Sequence, residues 1–128
     1  MKSSKFQFLN PYLEEVYFTI NPEYAPDANE GEIEMQNSFN VQVAQSKSQN
    51  RANVKLTLET NDEKAPFKLR ITMASDFEWE DMDEKTVESM LRMNAPALLM
   101  GYMRPIVANI TNASSFPAYN LPFFNFKE

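Results

Sequence analysis

Phe67, Leu69, Ile71, Met73, Phe77 and Trp79 all fall on odd-numbered positions, interleaved with Lys68, Arg70, Thr72 and Glu78. Apolar residues at a period of two belong on a strand with one buried face, because successive side chains of an extended chain point to opposite sides. Three other runs repeat the pattern. Val54, Leu56 and Leu58 alternate with Lys55, Thr57 and Glu59, while Ile33, Met35, Phe39, Val41 and Val43 oppose Glu32, Glu34, Gln36, Asn40 and Gln42. In the first segment Phe6, Phe8, Tyr12, Val16, Phe18 and Ile20 share a side that Asn10, Pro11 and Glu14 interrupt, which predicts a long strand with a kink near Pro11. The polar turns QSKSQNR (45–51) and NDEKAP (61–66) join the last three runs. Four alternations with such connections predict an antiparallel meander with one wet face.

The period then changes. Asp83 is a candidate N-cap followed by Glu84, and Val87, Met90 and Leu91 take helical spacing until Asn94-Ala95-Pro96 interrupts them. Pro96 suits the first turn of a second helix, where a missing N–H costs nothing. Along that helix Leu98, Leu99, Tyr102, Met103, Ile106, Val107 and Ile110 surround the axis, so it is expected to be covered on several sides, and Pro105 predicts a kink. The fold class that follows is α+β: a four-stranded antiparallel sheet, then one long kinked helical region packed on one face, in a single domain spanning 1–128. One sheet covers one side of such a helix. The apolar surface left over is expected to meet a second copy of the chain or a bound partner.

Eighteen acids against twelve bases give a net charge of −6 with no basic stripe, so nucleic acid is not an expected partner. Cys and His are both absent, which removes disulfides, thiolate chemistry, the usual zinc ligands and the commonest general base. No catalytic constellation can be assembled, so neither an enzyme nor a cofactor is expected. No apolar run approaches the roughly 18 residues of a membrane span, and MKSSKFQFLNPYLEE carries no signal-peptide core, so no membrane insertion and a cytoplasmic location are expected.

The acidic run DFEWEDMDE (76–84) lacks the spacing and glycine of a calcium loop and is read as acids preceding a helix N-terminus, not as a metal site. Glu14 and Glu15 are adjacent, which on a regular strand sends them to opposite faces and prevents joint acid–base work. Met90, Met93, Met100 and Met103 either fill a core or offer a pliable surface to a partner. After the helical pattern come five aromatics between Phe116 and Phe126. Pro117 and Pro122 forbid a helix there, so the segment should run extended along apolar surface, its own fold's or a neighbour's.

Residues 94–126, NAPALLMGYMRPIVANITNASSFPAYNLPFFNF, resemble the most distinctive region of SecB, the bacterial export chaperone. Pro96, Leu99, Tyr102, Arg104, Phe116, Pro117, Asn120, Leu121, Asn125 and Phe126 carry the match, as FPxxNLxxxNF after a helix containing YxR. Tyr12, Phe18, Phe67 and Phe77 extend it more weakly into the strands. The resemblance implies a four-stranded sheet with helices on one face, assembled as a dimer or a dimer of dimers. It implies an ATP-independent chaperone that holds unfolded or nascent polypeptides along aromatic-lined grooves before export, without cofactor or covalent chemistry. Met100, Met103, Phe116, Tyr119, Phe123, Phe124 and Phe126 are the polypeptide-binding residues expected on that basis, with sealing of an oligomer interface as their other use.

This sequence departs from the family in several places. SecB presents acids on the outer sheet face to dock the export ATPase; Glu15 fits such a position, whereas Thr19 and Arg70 stand where further acids are expected. The family continues past its NF into another helix, while only Lys127 and Glu128 follow here, so the helix flanking a client groove is expected to be absent. Pro105 and Ala113-Ser114 are also atypical, and the chain is similar to an uncharacterised branch from low-GC Gram-positive bacteria. An adaptor for one dedicated protein partner, with the fold kept and general client binding lost, is the alternative function.

Overall fold

A computed structural model describes residues 5–24, 35–46, 48–60, 62–122, 124 and 126. The alternating runs form β1 (Phe6–Ile20), β2 (Asn37–Ser46), β3 (Arg51–Thr60) and β4 (Phe67–Trp79), all antiparallel to their neighbours. The sheet order is β1-β4-β3-β2, so the expected meander holds for β2, β3 and β4 only. β1 pairs with β4 instead of β2, because the long connection 21–36 frees it to cross the sheet while the short turns keep the other three strands adjacent. Asn21 pins the crossing: its side-chain amide donates to the carbonyls of Glu63 and Ala65 in the β3–β4 turn, at 3.1 and 3.0 Å.

The inner face is built by the residues that the alternation marked. Val54, Leu56 and Leu58 on β3, and Phe67, Leu69, Ile71, Met73, Phe77 and Trp79 on β4, are buried. Phe39, Val41 and Val43 on β2 are half-buried, since β2 lies at an edge; Ile33 falls outside the described residues. Phe6 stacks on Phe77 and Trp79, with ring centroids 5.5 and 6.0 Å apart.

β1 corrects two expectations. Its pairing with β4 slips between Leu9 and Tyr12 and again between Leu13 and Glu15. Each bulge adds one unpaired residue and so turns the following side chains to the other face. Tyr12 therefore lies opposite Ala74 on the outer face, and Leu13, opposite Met73, takes the inner position expected of Tyr12. The second bulge restores the pattern, so Val16, Phe18 and Ile20 face inward opposite Ile71, Leu69 and Phe67. The expected break near Pro11 is the first bulge: Asn10 adopts φ 48°, a left-handed conformation that Asn tolerates, and the Ser75 hydroxyl donates to the released Leu9 carbonyl at 2.8 Å. The second bulge, between Leu13 and Glu15, sends Glu14 and Glu15 to one face, not two, where Glu14 meets Lys55 and Glu15 meets Arg70.

Asp83 caps α1 (Glu84–Ser89), accepting from the Thr86 hydroxyl at 2.5 Å and the Thr86 amide at 3.4 Å. The hydroxyl contact, reinforced by backbone donors, holds the Asp83 carboxyl below its ordinary value. The expected interruption at Asn94-Ala95-Pro96 is a correction too, because the chain stays helical through one π-helical turn, Met90–Asn94, into α2 (Ala95–Asn112). The Ala95 amide reaches back five residues to the Met90 carbonyl. The wider turn makes room for the Pro96 ring, which an unbroken α-helix would push against the preceding turn. α2 continues through Pro105 to Asn112.

Leu99, Met103 and Val107 form the stripe of α2 that rests on the sheet, each fully buried. Leu98, Ile106 and Ile110 are only half-buried and Tyr102 is 42% exposed, so in one copy of the chain the helix is covered on one side and not all round. Among the described residues no helix is long and apolar enough to cross a membrane.

Candidate functional site

The segment after α2 turns back along the inner face of its own sheet. Thr111, buried, ends the helix by donating its hydroxyl to the Val107 carbonyl at 2.8 Å and accepting from the Tyr119 amide at 2.7 Å. Phe116 packs between Tyr24 and Phe67, with centroids 5.7 and 6.3 Å away. Tyr119 also leans on Phe67, at 6.3 Å, and its hydroxyl accepts from the Asn37 amide at 2.7 Å. The Arg104 guanidinium grips the turn that follows by donating to the carbonyls of Leu121 and Pro122. Leu121 is buried, and Phe124 and Phe126 meet Phe39 on β2 edge-on, at 4.2 and 6.0 Å.

Of the residues expected to bind polypeptide, Phe116, Tyr119, Phe124 and Phe126 thus gather into one half-buried aromatic band on β2 and β4. Phe123 lies outside the described residues. Met100 and Met103 do not join the band. They are 3% and 0% exposed beneath the sheet, where the spacing of Leu99, Met103 and Val107 makes them core.

Beside the band runs a groove that single-strand and single-helix patterns do not mark. Its floor and walls are inward-facing residues of β2 and the facing side of α1 and the π-helical turn. One end is a cavity of about 250 Å³ bordered by Val43, Trp79, Met82, Val87 and Leu91. The other opens to about 820 Å³ between Val41, Met93 and Phe126. Glu88 and Arg92 line both, so the two lie side by side along α1 and the π-helical turn. The lining comes from segments far apart in sequence, and of its residues only Met93 and Phe126 stand among those singled out above as candidates for binding a partner. β2 is an edge strand, so the backbone groups on the side away from β3 have no ladder partner within the sheet. Apolar side chains, charged rims and a strand edge without a ladder partner among the described residues suit an extended peptide, whose alternate side chains enter the groove while its backbone pairs with the edge.

The outer face is of another character. Glu14 pairs with Lys55 and Glu15 with Arg70, each at 2.6 Å, while Arg51 lies 3.7 Å from Asp76 and Thr57 is hydrogen-bonded to Thr72 at 2.8 Å. Hydrogen bonding to the carboxylates raises both the Lys55 and the Arg70 pKa. Arg70 also lies over the Tyr17 ring, 5.9 Å from its centroid. Glu15, the residue expected to dock the export ATPase, is therefore half of an ion pair on a face of mixed charge.

The family model described as preprotein translocase subunit SecB matches residues 1–128. The chain belongs to the SecB family. SecB proteins are chaperones, not enzymes, and the four-stranded sheet followed by a long helix is the SecB-like fold. Among solved structures, the chain is similar to the Mycobacterium tuberculosis SecB-like chaperone Rv1957, in complex with a ChAD peptide from the Rv1956 HigA1 antitoxin. The TM-score is 0.75 at 15% identity, over 94% of this chain and 91% of that one. It is also similar to a Streptococcus agalactiae protein of unknown function, at a TM-score of 0.53 and 12% identity over 95% of this chain and all of the other. No curated protein matches the sequence significantly.

Proposed function

We propose that this SecB-family chain is an ATP-independent holdase that binds unfolded or nascent polypeptides in the groove between β2 and α1. The two adjoining cavities beside edge strand β2 carry the reading, because their apolar and charged lining and the strand edge together offer side-chain contacts and backbone pairing to an extended segment. The net charge of −6 favours clients with basic stretches. Of the aromatic band, Phe126 reaches the wide end of the groove.

The working unit in this reading is a homo-oligomer, a dimer or a dimer of dimers. Phe8, Leu13, Val16 and Ile20 on the inner side of edge strand β1 are each about two-fifths exposed. They continue onto α2 through the contact of Phe8 with Tyr102 at 6.4 Å. A second copy laid along this strip covers both the apolar strand and the open side of the helix, which one sheet leaves bare.

A denatured client diluted from urea is expected to scatter less light when this protein is present at one oligomer per client, without ATP. Undiminished aggregation across several clients contradicts the reading. A second reading, an adaptor for one dedicated partner, is favoured by the M. tuberculosis neighbour's complex with an antitoxin peptide and by the outer face, where Glu14 and Glu15 are already paired with Lys55 and Arg70. Under it, protection extends to one client and fails for all others.

A further inference from the structure

We propose that Phe124 and Phe126 are a built-in occupant of the client groove, seated where a client's aromatic side chains bind and displaced when a client enters. The proposal rests on the client-binding reading above. Up to Pro122 the chain after α2 is fastened by hydrogen bonds, one donated to the Thr111 hydroxyl and others received from Asn37 and Arg104. Beyond it, among the described residues, no hydrogen bond joins Phe124 or Phe126 to the rest of the fold; ring contacts with Phe39 hold them. The two phenylalanines are two positions apart and meet the same ring, as alternate side chains of an extended peptide do on one face of a strand. Phe39 is an inward-facing residue of edge strand β2, one step along that face from Val41, and Phe126 lines the groove together with Val41 and Met93. Phe124 and Phe126 therefore make, in cis, the type of contact that an extended aromatic segment makes in trans.

A tethered occupant competes at the high effective concentration that a short connection gives it. The apparent affinity of a client falls by the fraction of time that the site is free, so an occupant seated about nine-tenths of the time weakens binding about tenfold. It also keeps Phe39 from water when no client is present, which limits self-association through the β2 edge.

The test is fluorescence anisotropy with fluorescein-labelled, reduced and carboxymethylated α-lactalbumin, a permanently unfolded probe. Phe124→Ala/Phe126→Ala is expected to bind it about tenfold more tightly than the natural chain, and Phe124→Leu/Phe126→Leu, which keeps apolar bulk, to fall between. Circular dichroism is expected to be the same for all three. Equal or weaker binding by the alanine variant, with the natural chain still binding, makes the two rings part of the groove wall; this overturns the proposal and leaves the client-binding reading standing. Absence of binding by every protein overturns that reading, and the proposal with it.

Discussion

Val16→Asp/Ile106→Asp is expected to convert an oligomer of this chain into single copies of 14.8 kDa. Both residues are partly solvated in one copy, Val16 at 39% and Ile106 half-buried, so aspartate costs little in the isolated fold. In an assembly that covers β1 and the open side of α2, each aspartate becomes a carboxylate stripped of water without a partner. That penalty is several kcal/mol per charge, and about 4 kcal/mol already weakens association about a thousandfold. Sedimentation velocity of the natural chain is expected to give at least twice the mass of the variant. A natural chain that sediments as one copy removes the assembly from the account.

The largest loss of folding stability is expected at Phe67. The ring is buried under β4 and touches Phe18 at 5.2 Å as well as Phe116 and Tyr119, so it joins β1, the sheet and the segment after α2. Phe67→Ala is expected to cost about 3–5 kcal/mol, the range for a phenylalanine removed from a close-packed core. Urea denaturation measures it as a lower midpoint with little change in slope. Phe116→Ala, at a half-buried ring on the same cluster, is expected to cost less. Equal losses at the two positions contradict the placement of Phe67 as the hub.

The inner face of the sheet was legible because its signal is local. On β3 and β4 no bulge disturbs the register, so every apolar residue in the alternation is a core residue. On β1 the gap at Asn10-Pro11 marked a disturbance, but nothing in the residues said that the strand would take up two extra positions; parity was lost at Tyr12 and regained at Val16. The same blind spot separated Glu14 from Glu15, which a bulge brings to one face. The helices were found, while the proline that suggested a break is accommodated by a π-helical turn, a backbone adjustment without a residue code. Met100 and Met103 illustrate a different limit. A methionine suits a core and a binding surface equally, and only the stripe that meets the sheet decides between them. The aromatic band was visible as a run of rings, but the groove was not, because Val41, Val43, Val87, Leu91 and Met93 become neighbours only when β2 takes the sheet edge beside the α1 side of the helices.

A bound client is expected to lie extended along the inner side of β2, against α1 and the π-helical turn. Hydrogen–deuterium exchange of the chain, alone and saturated with an unfolded client, tests it directly. Slower exchange on binding is expected for amides of β2 and of residues 85–93, with the outer-face residues of β1 unchanged. Protection confined to the outer face, or none at β2, contradicts it.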